Sequence, residues 1–443
     1  MSHPSRFTCT RPSLEALEDR LTPTLSVLSL GSTLSITGAP TAGLGQALLV
    51  QDVGGDNFHV LDGTADLGAF HAPRGLRLDL SSVADGTRVE VDLAGDTLPG
   101  SIAVNVGSGN PGVEVFSSTG TGTVGGDVLF SGGSGTEDFI LGSRRGGALQ
   151  VGGNVRAASV PVTVPIEDFF VIFPRVEVHG NVSTTRLTYT EVLGATVDGN
   201  VSARAIDTPG GIGLEVDGTV HGNVTAAGGA SAPGFFSFAF VGNVDGNVTL
   251  DLTDGFVLVD AFGSIGGNLR VSAAGGVSAD ASLEGTVGGS AFLDLGGSAG
   301  TFSYVELTGT VAGSMSVSSR SGSVDVAIGI NIDEGTGLAG VIGGGLNVHL
   351  GDGTNSLTID GADGSSVGGT VVYVGGAGAD AVAISGQNSF RLIVHTGGGN
   401  DTVSFAPDAG VAFALIDFGP GPGAKTWAPP AVIDFPLVLL NYP

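Results

Sequence analysis

A five-residue phrase recurs along this 443-residue chain and restricts its folding more than any other feature. It reads apolar residue, then Gly, His or Asp, then Gly, then Asn or Ser, then apolar residue. The clearest copies are Val-Gly-Gly-Asn-Val at 151–155, Val-His-Gly-Asn-Val at 178–182, Val-Asp-Gly-Asn-Val at 197–201 and 244–248, and Ile-Gly-Gly-Asn-Leu at 265–269. His-Gly-Asn-Val stands at 221–224, and weaker copies begin at Val124, Val287, Val311, Ile342 and Val367. The fourth position falls at Asp127, Asn154, Asn181, Asn200, Asn223, Asn247, Asn268, Ser290, Ser314, Gly345 and Thr370, with gaps of 19 to 31 residues. A period of about 24 residues marks a solenoid, a propeller or an array, because one unit alone cannot bury its apolar face.

Between the copies, apolar residues alternate with small or polar ones, as in Gly-Asn-Val-Thr-Leu-Asp-Leu at 246–252 and Gly-Leu-Asn-Val-His-Leu at 345–350. Period 2 in short runs bounded by glycine predicts strands. Glycine supplies 79 residues, yet 41% of the chain is hydrophobic, so there is a core to bury, which glycine-rich disorder lacks. Only Ser13–Arg20 carries helical periodicity, outside the repeats. The expected fold is all-β: a parallel β-solenoid, or β-helix, of roughly 12 coils with about 24 residues per coil. A propeller blade takes about 40–45 residues, so two units would have to pair in each blade, and the spacing favours the solenoid. The recurring Asn is expected to stack on its equivalents in neighbouring coils, and glycine to supply positive φ at the corners.

Four stretches follow from the pattern: a leader-type tail at 1–23, an N-terminal β region that starts the solenoid at 24–123, the repeats proper at 124–405, and a proline-rich C-terminal cap or tail at 406–443. Two aromatic insertions, 161–174 and 233–240, are expected to pack against the coil stack. The matches to Asn-x-Ser/Thr at Asn181, Asn200, Asn223 and Asn247 arise from the strand pattern itself and carry no separate meaning.

The formal charge of −27 makes nucleic acid and anionic lipid poor partners. The single cysteine, Cys9, excludes an intramolecular disulfide or a multi-cysteine zinc site. No apolar run is long enough for a transmembrane helix; Phe435–Leu440 is short and contains Pro436. An uncapped terminal coil is an open sheet edge, which permits end-to-end self-association.

The tail Leu14-Glu-Ala-Leu-Glu-Asp-Arg-Leu-Thr-Pro23 resembles the N-terminal leader of surface and secreted proteins of planctomycete bacteria, which precedes glycine-rich β-repeats of this kind. That resemblance implies an extracellular or cell-surface location, with cell-surface or extracellular matrix components, polysaccharide among them, as partners. The turns Gly132–Asp138, Gly351–Asn355, Gly375–Asp380 and Gly397–Asp401 resemble the Gly-Gly-x-Gly-x-Asp repeats of calcium-binding β-rolls. In that family calcium lies between adjacent turns, held by Asp carboxylates and backbone carbonyls, which implies Asp380 and Asp401 as metal ligands and calcium as the one cofactor to consider. Ser356 stands at the Asp position of the 351 copy. The same turns also read as plain corners.

Arg156, Arg175, Arg186, Arg204, Arg270 and Arg320 share no repeat position, His179 and His221 sit at the variable position of the phrase, and Trp427 is the only tryptophan. No catalytic residues are assigned. The expected function is therefore a non-enzymatic structural or adhesive rod, with calcium as a stabiliser to test. The alternative is a carbohydrate-active β-helix of the lyase or hydrolase kind, which requires carboxylates clustered beside Arg204 or Arg270.

Overall fold

The computed structural model describes residues 25–442 except 42–45, 73, 134, 144–145, 161–167, 206–210, 230–235, 254, 274–277, 332–335, 338, 362–363, 387–388, 422 and 431–434. Residues 1–23, expected to be a leader-type tail, with Cys9 and the helical pattern at 13–20, lie outside the described residues, as do 161–167 and 233–235 of the aromatic insertions. All regular structure among the described residues is strand, wound into a parallel β-solenoid of about 13 turns with about 24 residues per turn. The parallel stacking rules out a propeller.

Each turn supplies one strand to an 18-stranded sheet and one long strand, or two short ones, to a 27-stranded sheet. In one turn Val182–Thr185 lies in the first sheet and Tyr189–Val197 in the second. The corner Asp198–Gly199–Asn200 then returns the chain to the first sheet at Val201–Ala205. The residue after the ladder Asn holds register down the stack: Val182 pairs with Val201, Val201 with Val224, Val224 with Val248, and Val248 with Leu269. All five are at most 1% exposed. Burying one such side chain is worth about 1.5–3 kcal/mol, so the column is a principal source of cohesion between turns.

The N-terminal end is closed differently. Leu25–Leu30 pairs antiparallel with Thr33–Gly38, and Ala47–Asp52, Asn57–Asp62 and Ala65–His71 form an antiparallel meander. Parallel stacking starts where Thr33–Gly38 meets Gly75–Ser82. No break in the ladder marks residue 405: Phe413–Asp417, Lys425–Ala428 and Leu437–Leu440 extend the two sheets in parallel.

Two details differ from the sequence reading. The glycine that precedes the ladder Asn is not a positive-φ corner. At Gly199 the neighbouring coil presses on the backbone: its N–H donates to Gly180 O at 3.2 Å, and a Cβ there would lie 2.4 Å from that oxygen. Positive φ belongs to other turns, as at Gly397 (φ +80°). The described parts of the aromatic insertions are strands of the second sheet. Phe170 and Ala239 face the core, while Phe169, Phe236 and Phe238 face outward. These outward rings form a row along the sheet: Phe169 packs on Tyr189, Tyr189 on Phe238, and Phe236 on Phe256, at centroid distances of 5.5–5.6 Å.

Candidate functional site

Two polar columns run along the stack at different corners. The first is the expected asparagine ladder. Asn154 donates its backbone N–H and side-chain Nδ2 to Asp127 Oδ1 at 2.7 and 3.2 Å, and Asn181 does the same to Asn154 Oδ1. The paired donation repeats through Asn200, Asn223, Asn247 and Asn268. Ser290, Ser314 and Gly345 continue the line through backbone N–H groups alone, and Ser101 Oγ receives the N–H of Asp127 at its other end. The ladder thus runs unbroken from Ser101 to Gly345. The side chains of Asn181, Asn200, Asn223 and Asn247 each give one N–H to the preceding ladder residue and accept from the next.

The second column is buried at the corner that opens the second sheet, and it contains Asp380 and Asp401. Here an acceptor side chain caps the N–H of the preceding turn. Glu137 N donates to Asp168 Oδ1, Ile212 N to Ser237 Oγ, Ala279 N to Ser303 Oγ, Val324 N to Asn355 Oδ1 and Asp380 N to Asp401 Oδ1, at 3.0–3.3 Å. Register places Asn355, not Ser356, opposite Asp380. In the 132 copy Glu137 takes the inward place, and Asp138 opens the outward-facing end of its strand.

Asp380 and Asp401 are adjacent in this column and at most 1% exposed. Asp380 Oδ1 accepts from Asn355 Nδ2 and Tyr373 Oη, each at 2.9 Å, whereas Oδ2 is buried with no partner among the described residues. Burial pushes the Asp380 carboxyl up to about 6 against the downward pull of the Asn355 and Tyr373 hydrogen bonds, and the nearby Asp401 charge pushes the same way as burial. Asp401 Oδ2 accepts from Thr396 Oγ1 at 2.7 Å and pairs with Lys425 Nζ, which also donates to Gly397 O. The two side chains of that ion pair are 0% and 3% exposed.

As arranged, the described side chains of this corner leave calcium few free oxygens. A hard cation takes 6–8 oxygen ligands. Among the described residues, Asp380 Oδ2 is the one carboxylate oxygen of the pair without a hydrogen bond, and the Lys425 ammonium supplies positive charge beside Asp401.

Glu137 and Asp168 form the column's other acidic pair, and no lysine reaches it among the described residues. Glu137 Oε1 accepts from Gly133 N at 3.0 Å, while Oε2 is buried with no partner among the described residues. Burial, followed by the Asp168 charge, pushes Glu137 up to about 7.

The outer surface beside the asparagine ladder carries the remaining chemistry. The variable phrase position holds His179, Asp198, His221 and Asp245 in successive turns. His179 Nδ1 lies 2.7 Å from Asp198 Oδ2, and His221 Nδ1 lies 2.6 Å from Asp245 Oδ2. Those hydrogen bonds raise both imidazoles above their usual value. Glu177 approaches His179 at 3.9 Å, which makes an exposed three-residue cluster whose closest pair is already an ordinary ion pair. The sequence alternation His, Asp, His, Asp was the available sign of this pairing.

On the other side of the ladder lies a shallow groove of about 650 Å³. It is lined by Asn200, Asn223, Asn247 and Asn268 along one wall and by Thr225, Thr249, Arg270 and Phe292 along the other. Arg204 lies on the same sheet, and among the described residues neither it nor Arg270 forms an ion pair; contrary to the sequence reading, Arg270 and Arg156 do share a repeat position, each two residues after a ladder Asn and in one register column. No family model matches the chain, and no curated protein or solved structure shows significant similarity to it.

Proposed function

We propose that the chain is a non-enzymatic structural and adhesive β-solenoid that works outside the cell or at its surface, where it holds cell-surface or matrix components. The observation that carries this reading is the unbroken side-chain-to-backbone ladder from Ser101 to Gly345. A stack joined to itself by two sheets and an outer ladder holds its surface rows at a fixed repeat. That suits repeated, weak engagement of an extended ligand. The charge of −27 favours solubility and disfavours polyanions. The resemblance of the leader at 14–23 supports export. Glycoside cleavage uses a pair of carboxylates across the scissile bond, and none lines the groove among the described residues, which favours holding over cutting.

The test is surface labelling of intact cells of the native host with a membrane-impermeant reagent, with and without residues 1–23. Labelling of the full chain that disappears when 1–23 is removed is the expected result. Labelling only after lysis would overturn the proposal.

A further inference from the structure

We infer that the groove beside the asparagine ladder binds a linear, neutral polysaccharide laid along the rod axis; this deepens the adhesive reading above and rests on it. The register sets the groove's shape. Thr225 pairs with Thr249, Thr249 with Arg270 and Arg270 with Phe292, so each stands one turn beyond the last. Each also lies two residues after its ladder residue, Asn223, Asn247, Asn268 or Ser290. One wall is therefore a row of amides and the other a row of hydroxyls that ends in a guanidinium and a ring, with a step of about 4.8 Å per turn.

The hydrogen-bond inventory sets the ligand class. A side-chain amide has two N–H donors. Asn200, Asn223, Asn247 and Asn268 each give one to the preceding ladder residue. Their second N–H has no partner among the described residues. The carbonyl oxygens of Asn200, Asn223 and Asn247 each already accept two hydrogen bonds from the next turn. The amide wall thus offers surplus donors at a regular step, and the Arg270 guanidinium adds more at the same end as Phe292.

Such a surface wants a ligand rich in acceptor oxygens that repeats along one direction. The −27 charge of the chain opposes a polyanion. A neutral glycan meets both conditions, because its hydroxyl and ring oxygens accept from the amides and its hydroxyls exchange hydrogen bonds with Thr225 and Thr249. The Phe292 ring, 44% exposed and free of ring contacts among the described residues, offers a flat apolar face for one sugar ring.

The experiment is an array of linear neutral and acidic oligosaccharides long enough to span four turns, probed with the full chain, with hits measured by calorimetry. The variants are Phe292→Ala, Arg270→Ala and, as a control on another face, Phe169→Ala. All three positions face outward, and circular dichroism checks that each variant remains folded. The expected result is binding of a neutral glycan that weakens about tenfold in Phe292→Ala, weakens also in Arg270→Ala, and is unchanged in Phe169→Ala. Binding confined to acidic glycans, or no glycan binding, overturns the inference. Neutral-glycan binding that survives both groove substitutions places the site elsewhere and overturns this assignment, while leaving the adhesive reading to stand. Surface labelling tests that reading separately.

Discussion

Replacing Glu137 with Gln is expected to make the protein more stable, and increasingly so as pH rises. The carboxyl is fully buried, one of its oxygens has no hydrogen-bond partner among the described residues, and Asp168 lies beside it. Its folded value is raised from 4.5 to about 7, so the protonated form is the one the fold accommodates. Below pH 4.5 the group is protonated whether the chain is folded or unfolded, and it imposes no penalty. Between 4.5 and about 7 the unfolded chain releases the proton while the folded chain resists, and stability falls as pH rises. Above 7 the penalty is constant. Each pH unit of displacement is worth about 1.4 kcal/mol, which sets a ceiling of roughly 3 kcal/mol; water reaching the corner and sharing of the proton with Asp168 reduce this to about 2 kcal/mol. Glutamine keeps the shape and the acceptor for Gly133 N–H but cannot ionise. Urea denaturation of wild type and variant from pH 4 to pH 8 should therefore give a stability difference that widens from near zero at the acid end and levels off above 7. A difference that stays flat across that range would mean that the corner is hydrated and that the burial argument is wrong.

Four further outcomes follow from the columns. Asn223→Ala removes an acceptor for two donors and a donor to Asn200, and should cost about 1–2 kcal/mol, with Asn223→Ser recovering part, as Ser290 and Ser314 do; faster amide exchange in the segment containing Asn247 is the local readout, and unchanged exchange would refute it. Gly199→Ala drives a methyl group to 2.4 Å from Gly180 O and should destabilise by about 2–3 kcal/mol in denaturant; a neutral effect would show that the coils can part there. Lys425→Met strands a buried Asp401 carboxylate and should cost about 3–5 kcal/mol, most of it recovered in the Lys425→Met/Asp401→Asn double variant; equal melting of the single variant and wild type would place the pair in water. Calcium added to chelated protein should shift the thermal midpoint no more than magnesium does, and a calcium-specific rise would show that Asp380 Oδ2 gathers ligands that the present arrangement withholds.

The turn length, the parallel stack and the asparagine ladder were legible because each depends on one residue recurring at one step. The groove was nearly so, since Thr225, Thr249, Arg270 and Phe292 all fall two places after a ladder residue; what concealed it was that the four are chemically unlike. The reason for Gly199 was not visible, because close approach between coils and positive φ demand the same amino acid. The corner column differs by one residue from the sequence reading at the 351 turn, where Asn355 and not Ser356 takes the inward place. Turns of different length slide the motif against the strand, and only the pairing register settles which side chain faces inward. Lys425 gave no local signal at all, for its partner Asp401 is 24 residues away.

The two columns point in opposite senses. On the outside, each turn donates to an oxygen laid down by the turn before it, as Asn181 does to Asn154. Inside, wherever the cap forms, the later turn brings the oxygen that the turn before it lacked, as Asp401 does for Asp380 N–H. Between Ser101 and Gly345, a chain adding turns from the N-terminal side would therefore find a docking point already waiting for each incoming segment. That segment in turn would finish off the one beneath it. Growth by accretion on an antiparallel seed, one layer at a time, needs no distant contact to form early and leaves only the newest layer incomplete. An architecture of this kind can be lengthened or shortened by whole layers without redesigning the remainder.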